Sequence, residues 1–247
     1  MPELRAILWD VDGTLAETER DGHRVAFNRA FADLGLDWNW DAEHYGRLLA
    51  VTGGRERMLH EARQRAGGGP IDTALLDLIP QLHQRKNQHY AGIVAAGGIP
   101  LRPGVTRLLR EIRAAGLLQA IVTTTSRANV EVLLSSTCGP DWQHLFSALV
   151  CGEDVGRKKP DPEAYLRALK ALRLAADDCM AVEDSAPGLA AAGAAGIACV
   201  LTRSAYTDAV ALSACPIAPR VEIDDLEQGL AMIGIADLRR WHSAPGR

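Results

Sequence analysis

The 247-residue sequence has no apolar run long enough to cross a membrane, since a spanning helix needs roughly 20 consecutive apolar residues. It also has no excess of basic charge. Its 27 Lys and Arg residues stand against 31 Asp and Glu residues, and the formal net charge is −4. This balance argues against binding to nucleic acid or to an anionic membrane through bulk charge. The N-terminus has no basic stretch followed by an apolar signal core, so we expect a cytoplasmic protein.

Cysteine is scarce and widely spaced. The number of cysteines is odd, and no two of them form a Cys-x-x-Cys pair, so neither a disulfide framework nor a zinc site is indicated. We expect buried free thiols. The five residues are Cys138, Cys151, Cys179, Cys199 and Cys215.

Five short apolar runs with β-branched residues recur along the chain, and most are followed by a polar cluster. Uniformly apolar runs of this length are typical of strands that are buried on both faces of a parallel sheet. Helical periodicities lie between them, so the order strand, helix, strand predicts an α/β fold with a doubly wound, Rossmann-like parallel sheet. The predicted strands are residues 6–9, 119–122, 148–150, 179–182 and 197–201.

Two helices of this predicted sheet domain have clear boundaries. Apolar residues recur on one face of residues 105–112, with Pro103 near the start of the helix and Gly116 placed to end it. A second helix is predicted to begin after Asp161-Pro162. In such folds the ligand lies outside the carboxyl ends of the strands.

One long stretch after the first strand contains helical periodicities and no convincing buried strand. We predict that residues 16–100 form a helical cap domain, inserted into a core domain made of residues 1–15 and 101–247. One cap helix carries apolar residues at Leu82 and Tyr90, and Pro80 is predicted to begin it.

The first strand ends in a pair of carboxylates, Asp10 and Asp12, with Gly13 next. If the strand pairing persists, the two side chains point the same way, and like charges held that close need a cation or a shared proton. A hard cation with oxygen ligands such as Mg²⁺ meets that need. Asp-Gly is also common turn chemistry. The pair alone leaves both interpretations open.

Three other strands also end in polar clusters. Residues 123–126 are hydroxyl side chains suited to phosphate oxygens, residues 157–160 supply cations, and Glu183-Asp184-Ser185 supplies two more carboxylates. Each cluster alone could be strand propensity, a solvated loop or a helix cap. Their joint arrival at the carboxyl ends of one sheet favours a phosphate site with a metal.

Taken together, these motifs resemble those of a known superfamily. Asp10-x-Asp12-Gly13-Thr14, Thr124, Lys159-Pro160 and Glu183-Asp184-Ser185 resemble, in order, the four motifs of the haloacid dehalogenase superfamily, and the insertion resembles the cap of its phosphatase and phosphomutase branch. More narrowly, residues 19–28, 52–55 and 123–126 resemble CbbY proteins, whose members include xylulose-1,5-bisphosphate phosphatases.

The resemblance implies a role for each matching residue. Asp10 would attack phosphorus and form an aspartyl phosphate, and Asp12 would be the general acid and base. Thr124 and Lys159 would hold the phosphoryl group. Asp12 favours phosphoryl transfer over dehalogenation, because a sugar alkoxide needs a proton and a halide does not. The predicted cofactor is Mg²⁺, and its predicted ligands are Asp10, Asp12, Glu183 and Asp184.

Substrate specificity is expected in the cap. Arg55 follows two glycines, an arrangement that suits close approach to a second phosphate, although an exposed Arg in a flexible loop is the alternative. Lys86 lies on the apolar row of its helix, and so does His23, which could equally be a structural histidine. Glu17 resembles a substrate hydroxyl ligand of CbbY proteins. The predicted substrate-binding residues are Glu17, His23, Thr52, Gly53, Gly54, Arg55, Lys86, Thr125, Ser126 and Asn129.

The leading functional hypothesis is a Mg²⁺-dependent phosphatase acting on a small phosphorylated or bisphosphorylated sugar, with xylulose 1,5-bisphosphate as the first candidate. A phosphomutase of the β-phosphoglucomutase type is the alternative, because the sequence does not decide whether water or a second sugar hydroxyl takes the phosphoryl group. A non-catalytic sugar-phosphate sensor is disfavoured by the intact Asp10 and Asp12. We expect a monomer whose partner is a small phosphorylated sugar, with no nucleic acid and no membrane.

Overall fold

The computed structural model describes residues 3–229 and 231–244 and contains a six-stranded parallel sheet in the order β3-β2-β1-β4-β5-β6. The predicted α/β doubly wound fold is therefore confirmed, and the five predicted strands match β1 to β5 within one residue at each end. The strands are β1 (Ala6–Trp9), β2 (Leu118–Val122), β3 (Ala148–Val150), β4 (Cys179–Glu183), β5 (Ala198–Thr202) and β6 (Val221–Ile223).

The central strand shows why the predicted runs are apolar at every position. Along β1, Ile7 and Trp9 enter the hydrophobic cluster on one face of the sheet, and Ala6 and Leu8 enter the cluster on the other face. Successive strand residues point to opposite faces, so a strand covered on both sides needs apolar residues throughout. The buried Trp9 indole Nε1 donates a hydrogen bond to Gln119 Oε1 at 3.0 Å, so its polar atom is satisfied inside the core.

The helices of the sheet domain follow the predicted boundaries. Helix α5 begins directly after Gly104 and buries four apolar side chains, each contributing about 1.5–3 kcal/mol of hydrophobic stabilisation. Gly116 follows its end with φ +76°, a conformation that glycine adopts easily. Helix α7 begins directly after Pro162, as predicted. The helices are α5 (Val105–Ala114), α6 (Arg127–Cys138), α7 (Glu163–Leu172), α8 (Ala186–Ala194), α9 (Ala209–Ala214) and α10 (Ile235–Ser243).

The predicted helical insertion contains a π-helix, Glu19–His23, followed by four α-helices. Within the described residues its only β-structure is isolated bridging at Ala16. Aromatic side chains, among them Phe27, Trp40 and Tyr45, fill a hydrophobic cluster of its own. The division into core and cap domains at residues 16 and 100 stays a prediction. The helices are α1 (Arg24–Asp33), α2 (Ala42–Leu48), α3 (Gly54–Arg65) and α4 (Thr73–Ala95).

The prediction that a helix begins at Pro80 is wrong. Helix α4 begins at Thr73, where the Asp72 side chain caps it by accepting a hydrogen bond from Ala74 N at 3.1 Å, and Pro80 lies inside the helix. Proline removes one backbone donor from a helix interior. Pro80 lies on the solvent side of α4, where water can bind the carbonyl that loses its partner. The Asp cap therefore determines the start of this helix.

The strand and hairpin near the C-terminus were not predicted. Strand β6 is a partly exposed edge strand, and β7 (Glu227–Gln228) pairs with β8 (Ala231–Met232) in a short antiparallel hairpin. Neither has the uniformly apolar sequence that identified the central strands. In the described part of the chain, each helix is too short or too polar to span a membrane.

Candidate active site

The register of the sheet brings the predicted motifs to one edge. Trp9, the last residue of β1, pairs with Ile121 of β2 and Val182 of β4. The next residue, Asp10, therefore lies between the ends of these two strands, and its backbone N donates to Val182 O at 3.0 Å. The Thr123–Ser126 segment follows β2, and Glu183-Asp184 lies at the end of β4, so both flank Asp10.

Lys159 connects these strand ends. Its buried ammonium donates to Asp10 Oδ1 at 2.7 Å, to the Val122 carbonyl at 2.7 Å and to Glu183 Oε1 at 2.6 Å. Tyr165 OH donates to the same Glu183 oxygen at 2.6 Å. An ammonium has three protons, and all three have acceptors here. The cation is thus fixed beside the predicted nucleophile.

The pKa values of Asp10 and Lys159 are both raised, but for different reasons. Burial raises the pKa of Asp10 well above its ordinary value, and nearby carboxylates add to the rise, although Lys159 opposes it. Burial would lower the pKa of Lys159, but the charges and hydrogen bonds of Asp10 and Glu183 outweigh it and raise that pKa. Lys159 is therefore a permanent cation, and it compensates a group of carboxylates that repel one another.

Three of these carboxylates fit a divalent cation. Asp10, Glu183 and Asp184 offer oxygen atoms that lie within 4.8 Å of one another. Glu183 Oε2 is buried and has no hydrogen-bond partner in the described part of the chain. Burial and the charge of Glu183 raise the pKa of Asp184 to about 8. An oxygen-rich set with an unsatisfied buried acceptor and excess negative charge suits Mg²⁺.

Two glycines leave room for these ligands. A Cβ on Gly13, whose φ is +82°, would lie 2.0 Å from Asp184 Oδ2, and a Cβ on Gly188 would lie 2.0 Å from Glu183 Oε2. Any larger residue would therefore displace a carboxylate. Gly13 therefore suits the turn after Asp12 and is also required by the close approach of Asp184.

The side chain of Asp12 points away from this carboxylate group. Its Oδ1 accepts hydrogen bonds from Thr18 Oγ1 at 2.5 Å and from His23 Nε2 at 3.0 Å. Burial opposes ionisation, but His23, Thr18 and Lys86 outweigh it and lower the pKa of Asp12 to about 2. The side chain of Asp12 is thus ionised and oriented by two donors. Metal binding by Asp12 stays a prediction.

Two adjacent spaces open next to these residues. The first, here called the nucleophile cavity, has a volume of about 90 Å³. The second, here called the wide cavity, has a volume of about 410 Å³. Thr124 lines both. Principal lining residues of the nucleophile cavity are Asp10, Asp12, Glu19, Arg57, Thr124 and Lys159. Principal lining residues of the wide cavity are Arg55, His83, Lys86, Ser126, Asn129 and Lys158.

The comparisons with known proteins agree with this arrangement. The sequence profile of the haloacid dehalogenase-like hydrolases matches residues 4–196. The chain belongs to this family. It is 49% identical over 205 residues to protein CbbY of Rhodobacter capsulatus, a match that covers 83% of this chain and 88% of the relative. It is 47% identical over 204 residues to the plasmid CbbY protein of Cupriavidus necator, covering 83% of this chain and 80% of the relative.

Solved structures show the same fold. The crystal structure of CbbY from Rhodobacter sphaeroides in complex with phosphate superposes with a TM-score of 0.83 at 40% identity, covering 95% of this chain and 99% of the other. A mutant of that protein, crystallised with xylulose 1,5-bisphosphate, gives the same TM-score at 39% identity and the same coverage. The chain is therefore an enzyme, a CbbY-like phosphatase of the haloacid dehalogenase-like hydrolases.

Two predicted substrate-binding residues of the insertion lie beside Asp12. Lys86 is buried, and its Nζ lies 5.1 Å from the centre of the Phe27 ring and 5.4 Å from that of Tyr90. His23 stacks on Tyr90 with ring centres 4.1 Å apart while it bonds Asp12. In this haloacid dehalogenase-like hydrolase, His23 is therefore packed and holds Asp12, as a structural histidine would, and substrate binding by His23 stays a prediction.

The predicted residues after β2 line the wide cavity together with Arg55. Ser126 Oγ is buried there and has no partner among the described residues. Asn129 is also buried and donates to Asn87 Oδ1 at 3.2 Å and to Thr125 Oγ1 at 3.3 Å. Arg55 is exposed at the edge of the cavity. The structure thus gathers these residues around one space, while their binding roles stay predictions.

The Thr52-Gly53-Gly54 segment contacts protein groups. Thr52 Oγ1 donates to the Lys159 carbonyl at 2.5 Å. A Cβ on Gly54 would lie 3.1 Å from the Phe27 ring and 3.3 Å from His83 Nε2. Close packing against side chains thus accounts for a glycine here. Gly54 also lines the wide cavity and Thr52 the nucleophile cavity, so substrate binding by this segment stays a prediction.

Glu17 is not brought to either cavity. Its carboxylate is partly exposed, accepts from Ala205 N at 3.3 Å and lies 3.7 Å from Arg102 Nη1. Glu19 lies in the nucleophile cavity instead. The prediction that Glu17 contacts substrate thus has no geometric support, because its carboxylate contacts Ala205 and Arg102 instead.

Sequence reasoning missed a buried polar group next to Asp12. Arg57 is 6% exposed, donates to Tyr45 OH at 2.8 Å and lies 4.0 Å from Glu19 Oε2. The Tyr45 hydroxyl donates in turn to Glu19 Oε2. His83, in the wide cavity, was missed as well; burial, Lys86 and Lys158 lower its pKa to about 4, so it is neutral.

Proposed function

We propose that this chain is a Mg²⁺-dependent sugar-phosphate phosphatase that removes phosphate from xylulose 1,5-bisphosphate or a similar small sugar bisphosphate through an aspartyl phosphate on Asp10. The observation that carries the proposal is that a small anionic cavity at Asp10 lies next to a wide cavity edged by Arg55, Lys86 and Lys158, with Thr124 lining both. The likeness to a CbbY protein crystallised with xylulose 1,5-bisphosphate supports this substrate.

In the proposed first step, an Asp10 carboxylate oxygen attacks phosphorus and the sugar oxygen leaves. Lys159 would neutralise negative charge beside the attacking carboxylate, and Thr124, which lines both cavities, would donate to a phosphoryl oxygen. Attack by a carboxylate divides hydrolysis into two displacements, each with a lower barrier. Water then attacks the aspartyl phosphate and regenerates Asp10.

Asp12 is proposed to exchange the proton. Thr18 and His23 occupy its Oδ1, and Oδ2 has no hydrogen bond to any described residue. The low pKa keeps Asp12 deprotonated in the free enzyme, so it starts as the proton acceptor. A nearby dianionic phosphoryl group raises that pKa, so the carboxylate can take up a proton and pass it to the leaving sugar oxygen.

Asp10, Glu183 and Asp184 would hold the Mg²⁺ ion. When bound, the ion offsets the negative charge of the carboxylates and the phosphoryl group. Metal binding itself can be measured calorimetrically with Mg²⁺, without substrate. We expect Asp184→Asn to weaken that binding and Asp178→Asn, at the opposite end of β4, to leave it unchanged.

We propose Glu19 as a ligand for a sugar hydroxyl, because its carboxylate lies in the nucleophile cavity and is held there by Tyr45. Glu19→Gln should lower kcat/KM for a sugar bisphosphate by about 10- to 100-fold, the loss typical of one hydrogen bond to a charged group. Glu17→Gln is the matched variant two residues away and should have a much smaller effect. Steady-state kinetics on both variants tests this, and a larger loss in Glu17→Gln would contradict it.

The charge of Lys86 predicts an alkaline limit to activity. Burial, aided by Arg57, lowers the pKa of Lys86 to about 8 despite Asp12 and Glu19, which raise it. Lysine is charged below its pKa and neutral above it, so the cation facing the substrate is lost as pH rises through about 8. Phosphate esters are already dianionic there, with a second pKa of about 6.

We therefore expect kcat/KM for a sugar phosphate to fall above about pH 8. Arg stays charged in proteins, so in Lys86→Arg the fall should move to higher pH. The measurement is a pH profile of kcat/KM for both proteins at constant ionic strength. An identical alkaline limb in both would show that Lys86 is not the titrating group.

A phosphate-release screen over sugar monophosphates and bisphosphates, with Mg²⁺ and with chelator, tests the proposed function. We expect release from xylulose 1,5-bisphosphate that depends on Mg²⁺. Absence of release, together with conversion of glucose 1-phosphate to the 6-phosphate in the presence of a bisphosphate primer, would replace the phosphatase with a mutase. Binding without turnover on any substrate would indicate a sensor.

A further inference from the structure

The segment that carries Lys159 contacts both the sheet domain and the insertion. The ammonium of Lys159 has its three acceptors in the sheet domain. Its backbone carbonyl accepts from Thr52 Oγ1 of the insertion at 2.5 Å. The preceding residue, Lys158, forms an ion pair with Glu56 at the start of α3, with Nζ and Oε2 2.8 Å apart. Glu56 and Lys158 are 102 residues apart in sequence, so this contact joins separate parts of the chain.

A glycine in the insertion, Gly53, leaves room for this ion pair. Gly53 has φ +91°, and a Cβ there would lie 2.2 Å from Glu56 Oε2 and 2.5 Å from Lys158 Nζ. Any side chain at position 53 would therefore push the two charged groups apart. Gly53 thus serves the contact between Glu56 and Lys158.

We propose that Glu56 is a positioning residue for catalysis: through Lys158, and together with Thr52, it fixes the backbone from which Lys159 reaches Asp10. This inference rests on the role given to Lys159 in the proposed function. Glu56 itself contacts Lys158. It has no hydrogen bond to Asp10 or Lys159 among the described residues.

The position of the backbone matters because the lysine side chain has a fixed length. Lys159 must place one ammonium against three fixed acceptors, so its backbone has to stay at one distance and angle from Asp10. Small displacements of a reacting group reduce rates by up to about 10²-fold. The ion pair is partly exposed, with 20% of the Lys158 side chain and 44% of the Glu56 side chain accessible, so it adds little stability. A positioning role therefore predicts a lower kcat with little change in melting temperature, whereas a stabilising role predicts a lower melting temperature.

A charge-reversal cycle tests the proposal: Glu56→Lys, Lys158→Glu and the double variant. Both residues also line the wide cavity, so Lys158→Glu changes the charge that a second phosphate would meet. Turnover is therefore read on p-nitrophenyl phosphate, which has no second phosphate. Each single variant should lower kcat by about 10-fold with a nearly unchanged melting temperature, and the double variant should regain most of it.

The control is Glu43→Lys, the same charge change on α2, where Glu43 is 88% exposed and pairs with Arg47 of its own helix. It should keep the wild-type kcat. If Glu56→Lys does not fold, Glu56→Gln replaces it and should also lower kcat. Unchanged kcat in the single variants, or a double variant as slow as the singles, would overturn the positioning role. Failure of the proposed substrate is distinguishable, because it appears in the wild-type protein as no release from the bisphosphate while p-nitrophenyl phosphate is still hydrolysed.

Discussion

Asp10→Asn should reduce phosphate release by about 10⁴-fold or more, the scale of loss seen when a covalent nucleophile is removed. An amide is nearly the same shape as a carboxylate but does not attack phosphorus. Asp10 also carries a strongly raised pKa, caused first by its burial, so its charge costs stability in the folded protein. We therefore expect the variant to fold normally, with a melting temperature equal to or above that of the wild type.

Single-turnover kinetics and thermal unfolding on the same preparation test this expectation. Asp21→Asn is the matched control, because Asp21 is exposed on the insertion and pairs only with its neighbour Arg20 among the described residues. Turnover in Asp10→Asn within about 100-fold of the wild-type rate would contradict the covalent mechanism.

Lys159→Met should have the largest effect on stability. It keeps the volume of the side chain but leaves Asp10 and Glu183 facing each other without their cation. Breaking a buried ion pair by removing one partner costs about 3–5 kcal/mol of unfolding free energy. In a domain of this size, that corresponds to a fall of roughly 6–20 °C in melting temperature. Phosphate release should also be lost, because Lys159 is the cation beside the nucleophile.

The stability loss of Lys159→Met should depend on pH. As pH falls, one of the two carboxylates takes up a proton and the repulsion between them disappears, so the difference from the wild type should be smaller near about pH 5 than near about pH 8. Urea unfolding at both pH values measures this. Lys170→Met, an exposed residue of α7, is the control. An equal loss of unfolding free energy at both pH values would show that the missing charge is not the cause.

The sheet and the polar edge that forms the candidate active site could be predicted because both depend on local sequence. Strands buried on both faces must be apolar at every position, and a parallel sheet places all their polar ends together. For this reason the sequence alone groups Asp10, Thr124 and Glu183. Strand β6 escaped prediction because an edge strand is partly exposed and its sequence alternates.

The residues that were missed depend on non-local contacts or on unusual helix geometry. Glu19 begins a π-helix, which changes the number of residues per turn, so a 3.6-residue period does not show which way its side chain points. In the sequence, Arg57 looks like a charged residue on the exposed face of a helix. Only its contact with Tyr45, far from it in the pattern, shows that it is buried. The Thr52 contact with Lys159 joins residues 107 positions apart.

The central claim is a phosphoryl group carried on Asp10, and mass spectrometry of a trapped enzyme tests it most directly. With p-nitrophenyl phosphate, whose phenolate leaves without a proton, Asp12→Asn should slow the water step more than the attack. Asn cannot take a proton from water, so the phosphorylated enzyme should accumulate. Acid quenching and peptide mapping should find one added phosphoryl group, labile to hydroxylamine, on Asp10. Substrate turnover with no phosphorylated protein, or with the phosphoryl group on another residue, would contradict the account.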